Sequence, residues 1–154
     1  MADSDKINEI LDYAIDQERQ AYDFYMRLAA RTENKQLKQA FEDFAHQEKT
    51  HVAILQSVKK NRITLSNTGE VQDLKIADYS VDVDEADLQD GADLQKVYIL
   101  AMKKEKAAYK MYSDLARTCS DENCRKALES LAQEEARHKL HIELEYDKHF
   151  LNEN

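Results

Sequence analysis

Four stretches of this chain place apolar residues at alternating steps of four and three, the spacing that keeps one face of an α-helix against its neighbours. The first runs Ile7, Leu11, Ala14, Glu18, Ala21, Tyr25, Leu28, and the second Leu37, Phe41, Phe44, Glu48, His51, Leu55, Val58. The third is Leu94, Tyr98, Ala101, Glu105, Ala108, Tyr112, Leu115, and the fourth Cys124, Leu128, Leu131, Glu135, His138, Ile142. The helix built around each stretch spans roughly 25–30 residues, near 40 Å. There is no proline, and the glycines, Gly69 and Gly91, both fall outside the four stretches. A β-sandwich or barrel needs turn residues at short regular spacing. The expected fold is therefore all-α.

Thr-Glu-Asn separates the first two stretches and Thr-Cys-Ser-Asp-Glu-Asn the last two. Connections this short make antiparallel neighbours. Asn34, and Ser120 or Asp121, have the side chains to cap the second helix of each hairpin. Residues 62–92 differ: they hold both glycines and have a poor helical period. That length can run along a bundle and start a new hairpin at its other end. The expected architecture is one domain over residues 1–154, an antiparallel four-helix bundle with the single long crossover of the ferritin-like topology.

The two hairpins repeat each other. With a shift of 87 residues, positions 14–51 align with 101–138 without a gap, and 12 of the 38 pairs are identical. The identities include Glu18 with Glu105, Tyr25 with Tyr112, Glu48 with Glu135 and His51 with His138. A duplicated hairpin predicts a pseudo-twofold axis.

The seams carry acids where apolar residues belong. Glu18, Glu48, Glu105 and Glu135 fall at mid-helix on the buried face, and His51 and His138 follow their glutamates by three, one turn along the same face. An unpaired carboxylate in an apolar interior costs several kcal/mol. No Lys or Arg occupies a seam position, so interior salt bridges lack partners. Two divalent cations resolve the problem, since their charge cancels that of four carboxylates and both imidazoles remain neutral. One Glu from each of two helices, with Glu-x-x-His from each of the other two, is the ligand set of di-iron and di-manganese carboxylate bundles.

The stretches Ala-Ile-Asp-Gln-Glu-Arg-Gln-Ala-Tyr (14–22), Gln-Glu-Lys-Thr-His (47–51), Lys-Glu-Lys-Ala-Ala-Tyr (104–109) and Glu-Glu-Ala-Arg-His (134–138) resemble the rubrerythrin branch of the ferritin-like superfamily. The resemblance covers both hairpins. It implies that Glu48 and Glu135 bridge two iron ions, with Glu18, Glu105, His51 and His138 as terminal ligands; carboxylate-rich donors suit manganese nearly as well. It further implies reduction of H2O2 or O2, or oxidation of Fe(II), in a homodimer or larger homo-oligomer. Two departures stand out. Rubrerythrins carry a further glutamate one turn past the third-helix ligand, where this chain has Ala108, and they carry a rubredoxin domain. Cys119 and Cys124 do not replace its paired Cys-x-x-Cys knuckles, so the expected electron donor is a separate protein. Iron storage with ferroxidase activity, and metal binding without turnover, are the rival readings.

Around the ligands, a coordinated imidazole needs an acceptor for its other nitrogen. Gln47 and Glu134 are candidates at repeat-equivalent positions, although solvated helix residues are the plainer reading of both. Tyr25 and Tyr112, on the seams seven residues after Glu18 and Glu105, need buried partners for their hydroxyls; a ligand carboxylate is the nearest acceptor, and core filling alone is the alternative. Tyr22 and Tyr109 lie slightly off the seam. His46 points away from Glu48, and His141 and His149 lie beyond the ligand turn. Cys119 and Cys124 read as reduced thiols.

Charge and hydropathy exclude other classes. The net charge of −9 opposes nucleic-acid binding, which needs a basic face. Seven acids and no base fall in residues 78–93, which reads as a solvated acidic loop. The longest apolar run, Val97 to Met102, is far short of a membrane span, and the acidic N-terminus has no apolar leader. The expectation is a cytoplasmic protein with no nucleic-acid or membrane partner.

Overall fold

The computed structural model describes residues 2–60, 74–89, 91–119 and 122–151. Four long helices dominate: α1 Ala2–Ala30, α2 Lys35–Lys60, α3 Leu94–Arg117 and α4 Glu122–Tyr146. No strand occurs among the described residues. α1 packs along α2 and α3 along α4, as two hairpins. Asn34 caps α2 as expected, its Oδ1 accepting from Leu37 N at 3.0 Å, and Asp93 caps α3 by accepting from Gln95 N. The side chain of Ile7 and the proposed caps Ser120 and Asp121 lie outside the described residues. No described helix is long and apolar enough to cross a membrane.

Seam residues segregate into two apolar clusters. One contains Leu11, Leu55, Met111, Leu115 and Leu128, with Cys119 and Cys124 buried side by side, Sγ to Sγ 2.6 Å. The other is aromatic, with Tyr25 stacked on Phe41 and Phe44 stacked on His138 at 4.2 Å. Each fully buried Leu or Phe contributes about 1.5–3 kcal/mol relative to exposure, so both clusters hold the hairpins together. Between them, at mid-bundle, lies the belt of buried acids.

Part of the connection between the hairpins, 74–89, is described. It forms 3₁₀ turns at Ile76–Tyr79 and Glu85–Leu88 rather than a long helix. Tyr79 plugs it into the bundle: its hydroxyl donates to Asp114 Oδ2 on α3 at 2.7 Å, and its carbonyl accepts from Tyr13 of α1. Leu74 and Tyr79 are buried in the first apolar cluster. The connection thus covers one side of the acid belt. Of the acidic run, Asp78, Asp82 and Asp84 are exposed, as a solvated segment should be.

Candidate metal centre

Each helix delivers its glutamate to the same level of the bundle. Glu18, Glu48, Glu105, Glu135, His51 and His138 are all at most 3% exposed. They form two sets of four. Glu18, Glu48, His51 and Glu135 each offer one donor atom within 4.8 Å of the others, and so do Glu48, Glu105, Glu135 and His138. Glu48 and Glu135 belong to both sets. His51 Nδ1 stands 3.0 Å from Glu18 Oε2 and 3.1 Å from Glu135 Oε1. His138 Nδ1 stands 3.1 Å from Glu48 Oε1 and 3.7 Å from Glu105 Oε2. Both rings turn Nδ1 inward.

The outward Nε2 atoms find acceptors on the neighbouring helix. His51 Nε2 donates to Glu134 Oε2 at 2.5 Å, and His138 Nε2 donates to Gln47 Oε1. The spacing of these two residues suits solvated positions; the structure makes them the histidines' partners. Two tyrosines hold the terminal acids: Tyr112 donates to Glu18 Oε1 at 2.6 Å, and Tyr25 donates to Glu105 Oε1. Each tyrosine serves the glutamate of the other hairpin rather than that of its own helix.

What is left over is informative. Glu48 Oε1 and Oε2, Glu105 Oε2, Glu135 Oε1 and His138 Nδ1 are buried with no hydrogen-bond partner. Buried polar atoms are almost always paired, and five such atoms converging on one spot fit a cation site. Electrostatics agrees. Burial, and after it the charges of Glu18 and Glu105, push the Glu48 carboxyl well above the ordinary carboxylate range. Burial, then Glu105, Glu48 and Glu18, do the same to Glu135. For His51, burial acts downward, but the close carboxylates of Glu135 and Glu18 outweigh it and push the pKa up to about 10.

A cavity of about 40 Å³ opens onto the acids, lined by Glu18, Glu48, Glu105 and Glu135 together with Ala108 and Lys104. Such a volume is more than one water needs and suits molecules of a few atoms. Tyr79 and Val81 of the connection close it from outside. Lys104 and this lid were not legible as site residues. Lys104's position beside Glu105 was the one available signal. A larger groove of about 410 Å³, along Asp23, Arg27 and Arg31, touches none of the six belt residues.

The remaining candidates lie apart. Tyr109 is 39% exposed, and Tyr22 is half-buried under Lys49. His46 is exposed. His141 packs edge-on against Phe44, and His149 pairs with Glu145 at 3.2 Å.

The rubrerythrin family profile matches residues 9–146. A solved structure from Thermotoga maritima, described as a ferritin-like diiron-carboxylate protein, superposes with a TM-score of 0.74 at 24% identity, covering 93% of this chain and 95% of the other. At that identity the likeness speaks for the fold. No curated protein matches the sequence.

Proposed function

Because the chain belongs to the rubrerythrin family, we propose that it is a non-haem di-iron oxidoreductase that reduces H2O2 or O2, or oxidises Fe(II), at a carboxylate-bridged centre. The observation that carries this reading is the pair of four-residue sets sharing Glu48 and Glu135, with buried donor atoms that lack any other partner. Glu18 and His51 would complete one ion's ligands, and Glu105 and His138 the other's. A bound iron pair supplies a two-electron couple and Lewis acidity to a small oxidant. The chain's own residues do the rest. Tyr112 and Tyr25 fix the rotamers of Glu18 and Glu105, so each leaves one oxygen aimed inward. Glu134 and Gln47 hold the two imidazoles with Nδ1 inward, the orientation a metal ligand needs. The cavity beside Ala108 admits an oxidant the size of peroxide and excludes larger substrates. Manganese suits the same oxygen-rich donors. A separate electron-donor protein, a homodimer or larger homo-oligomer, and a cytoplasmic setting belong to the same proposal.

The test is anaerobic loading with Fe(II), then separate additions of H2O2 and O2 while near-UV charge-transfer absorption is followed. The band should grow with at least one oxidant, in proportion to bound iron. Iron-loaded protein that stays silent to both leaves metal binding without turnover. Light scattering separates the storage reading, which needs a hollow shell of many subunits.

A further inference from the structure

The duplication makes the six belt residues equivalent in pairs, but it does not make their surroundings equivalent. Among the repeat-related pairs that differ, two stand next to the belt residues and bear on charge. Position 47 is Gln and its mate 134 is Glu. They do the same job on opposite histidines: Gln47 Oε1 accepts from His138 Nε2, and Glu134 Oε2 accepts from His51 Nε2 at 2.5 Å. A carboxylate draws on the Nε2 proton more strongly than an amide oxygen, which leaves more electron density on Nδ1 and makes His51 the better donor. Position 17 is Gln and its mate 104 is Lys. Both line the cavity over the acids, and Lys104 interacts electrostatically with Glu105. The set containing His51 therefore gains a negative charge behind its histidine, while the set containing Glu105 and His138 faces a cation.

We infer that the two metal positions are unequal, and that Glu134 and Lys104 together make the Glu18–Glu48–His51–Glu135 set the first and tighter site for a divalent cation. The inference rests on the metal-centre reading above. Both differences act in the same direction. Glu134 keeps a third of its side chain in solvent and Lys104 is half-buried, so solvent weakens each effect without changing its sign. Neither residue is a ligand. They act by adjusting how strongly the ligands donate and how much positive charge each position tolerates. A consequence is that a chain carrying one ion holds it at the His51 set, with the second position open to another metal.

The test is anaerobic titration with Mn(II), which stays divalent, followed by calorimetry and by electron paramagnetic resonance. The parent should bind in two resolved steps. At one Mn(II) per chain it should show the six-line spectrum of an isolated ion, and the spin-coupled spectrum should appear only on further addition. Glu134→Gln keeps the shape and the hydrogen bond. It should weaken the first step by ~10-fold, within the usual range for loss of an outer partner, and leave the second unchanged. Lys104→Gln should tighten the second step alone. The double variant should merge the two steps and show coupled spins already at one equivalent. Circular dichroism checks that each variant is folded. Two indistinguishable steps in the parent, or Glu134→Gln weakening both steps alike, would overturn the inference while leaving the metal centre intact. Absence of Mn(II) binding in every form would overturn the metal-centre reading, and the inference with it.

Discussion

Tyr25 on α1 donates its hydroxyl to Glu105 on α3, and Tyr112 on α3 returns the bond to Glu18 on α1. The two bonds are copies of one contact, related by the repeat, and each ties one hairpin to the other across the core. Both tyrosines are 2% exposed or less. Burial, then the nearby carboxylates, push both phenols well above their ordinary pKa. They stay protonated and can only donate to those oxygens.

Removing either hydroxyl should therefore be felt in the fold. Tyr25→Phe or Tyr112→Phe keeps the ring and strands one buried carboxylate oxygen, which costs about 1–3 kcal/mol. Urea unfolding of the metal-free protein should show the loss in each single variant. The double variant should lose close to the sum, because each tyrosine serves a different glutamate. Unchanged midpoints would mean that the hydroxyls contribute nothing beyond core filling.

The sharing of Glu48 and Glu135 makes a separate prediction about stoichiometry. Loaded protein should hold two ions per chain, since two donor sets are present. Glu48→Gln should weaken both binding steps, whereas Glu18→Gln should weaken only the step that uses His51. Elemental analysis and a metal titration of the two variants check this. A Glu48→Gln protein that loses one step and retains the other unchanged would remove Glu48 from one of its sets.

Stability should depend on pH in opposite ways with and without metal. In the metal-free chain His51 is raised from 6.5 to about 10, so folding favours its protonated form. That contribution is complete below about pH 6.5 and is lost as pH climbs toward 10. Glu48 and Glu135 are also raised, and their contribution is lost as pH rises above the ordinary carboxylate value. Metal displaces these protons, so its binding strengthens with pH. The gap in Tm between metal-loaded and chelator-treated protein should widen from about pH 5 to pH 8. Metal at a hundred times its Kd adds about 2.7 kcal/mol, or roughly 5–10 °C for a chain of this size. A gap that is absent, or that narrows with pH, would mean that the acids hold no metal.

How much of this the residues reveal depends on where each partner sits. The seam period places Glu18, Glu48, Glu105 and Glu135 inside because burial follows directly from helical spacing. The repeat then pairs them. The histidine partners are harder to read. An imidazole that turns Nδ1 inward projects Nε2 beyond the seam, so its acceptor lies on the flank of the facing helix, at positions such as 47 and 134 that the period marks as solvated. Which flank it reaches depends on helix pairing and ring rotamer, neither of which leaves a periodic trace. The cross-hairpin choice of Tyr25 and Tyr112 is hidden for the same reason. The connection is least legible: Tyr79 reads as one aromatic in an acidic stretch, and only the tertiary contact with Asp114 makes it part of the lid.

Ala108 stands where the rubrerythrin resemblance leads one to expect a further glutamate. It is half-buried one turn beyond Glu105, and it lines the cavity onto which all four acids open. A carboxylate at this position has the reach to meet the ion at the Glu105 set, whereas a methyl group leaves that coordination position to solvent or oxidant. With alanine there, the chain would offer a bound ion no alternative protein ligand when its charge changes. Ala108→Glu supplies one with little change in helix propensity. The cavity is small, so the new side chain has to fit within it, and metal content and folding are measured first. In protein shown to hold both ions, single-turnover oxidation by H2O2 should be faster in Ala108→Glu than in the parent, while the reaction with O2 changes less. The difference should show in stopped-flow near-UV traces recorded with each oxidant on the same loaded sample. Equal H2O2 rates in the two proteins would mean that the alanine carries no mechanistic weight, and that the six belt residues suffice for whatever turnover the centre supports.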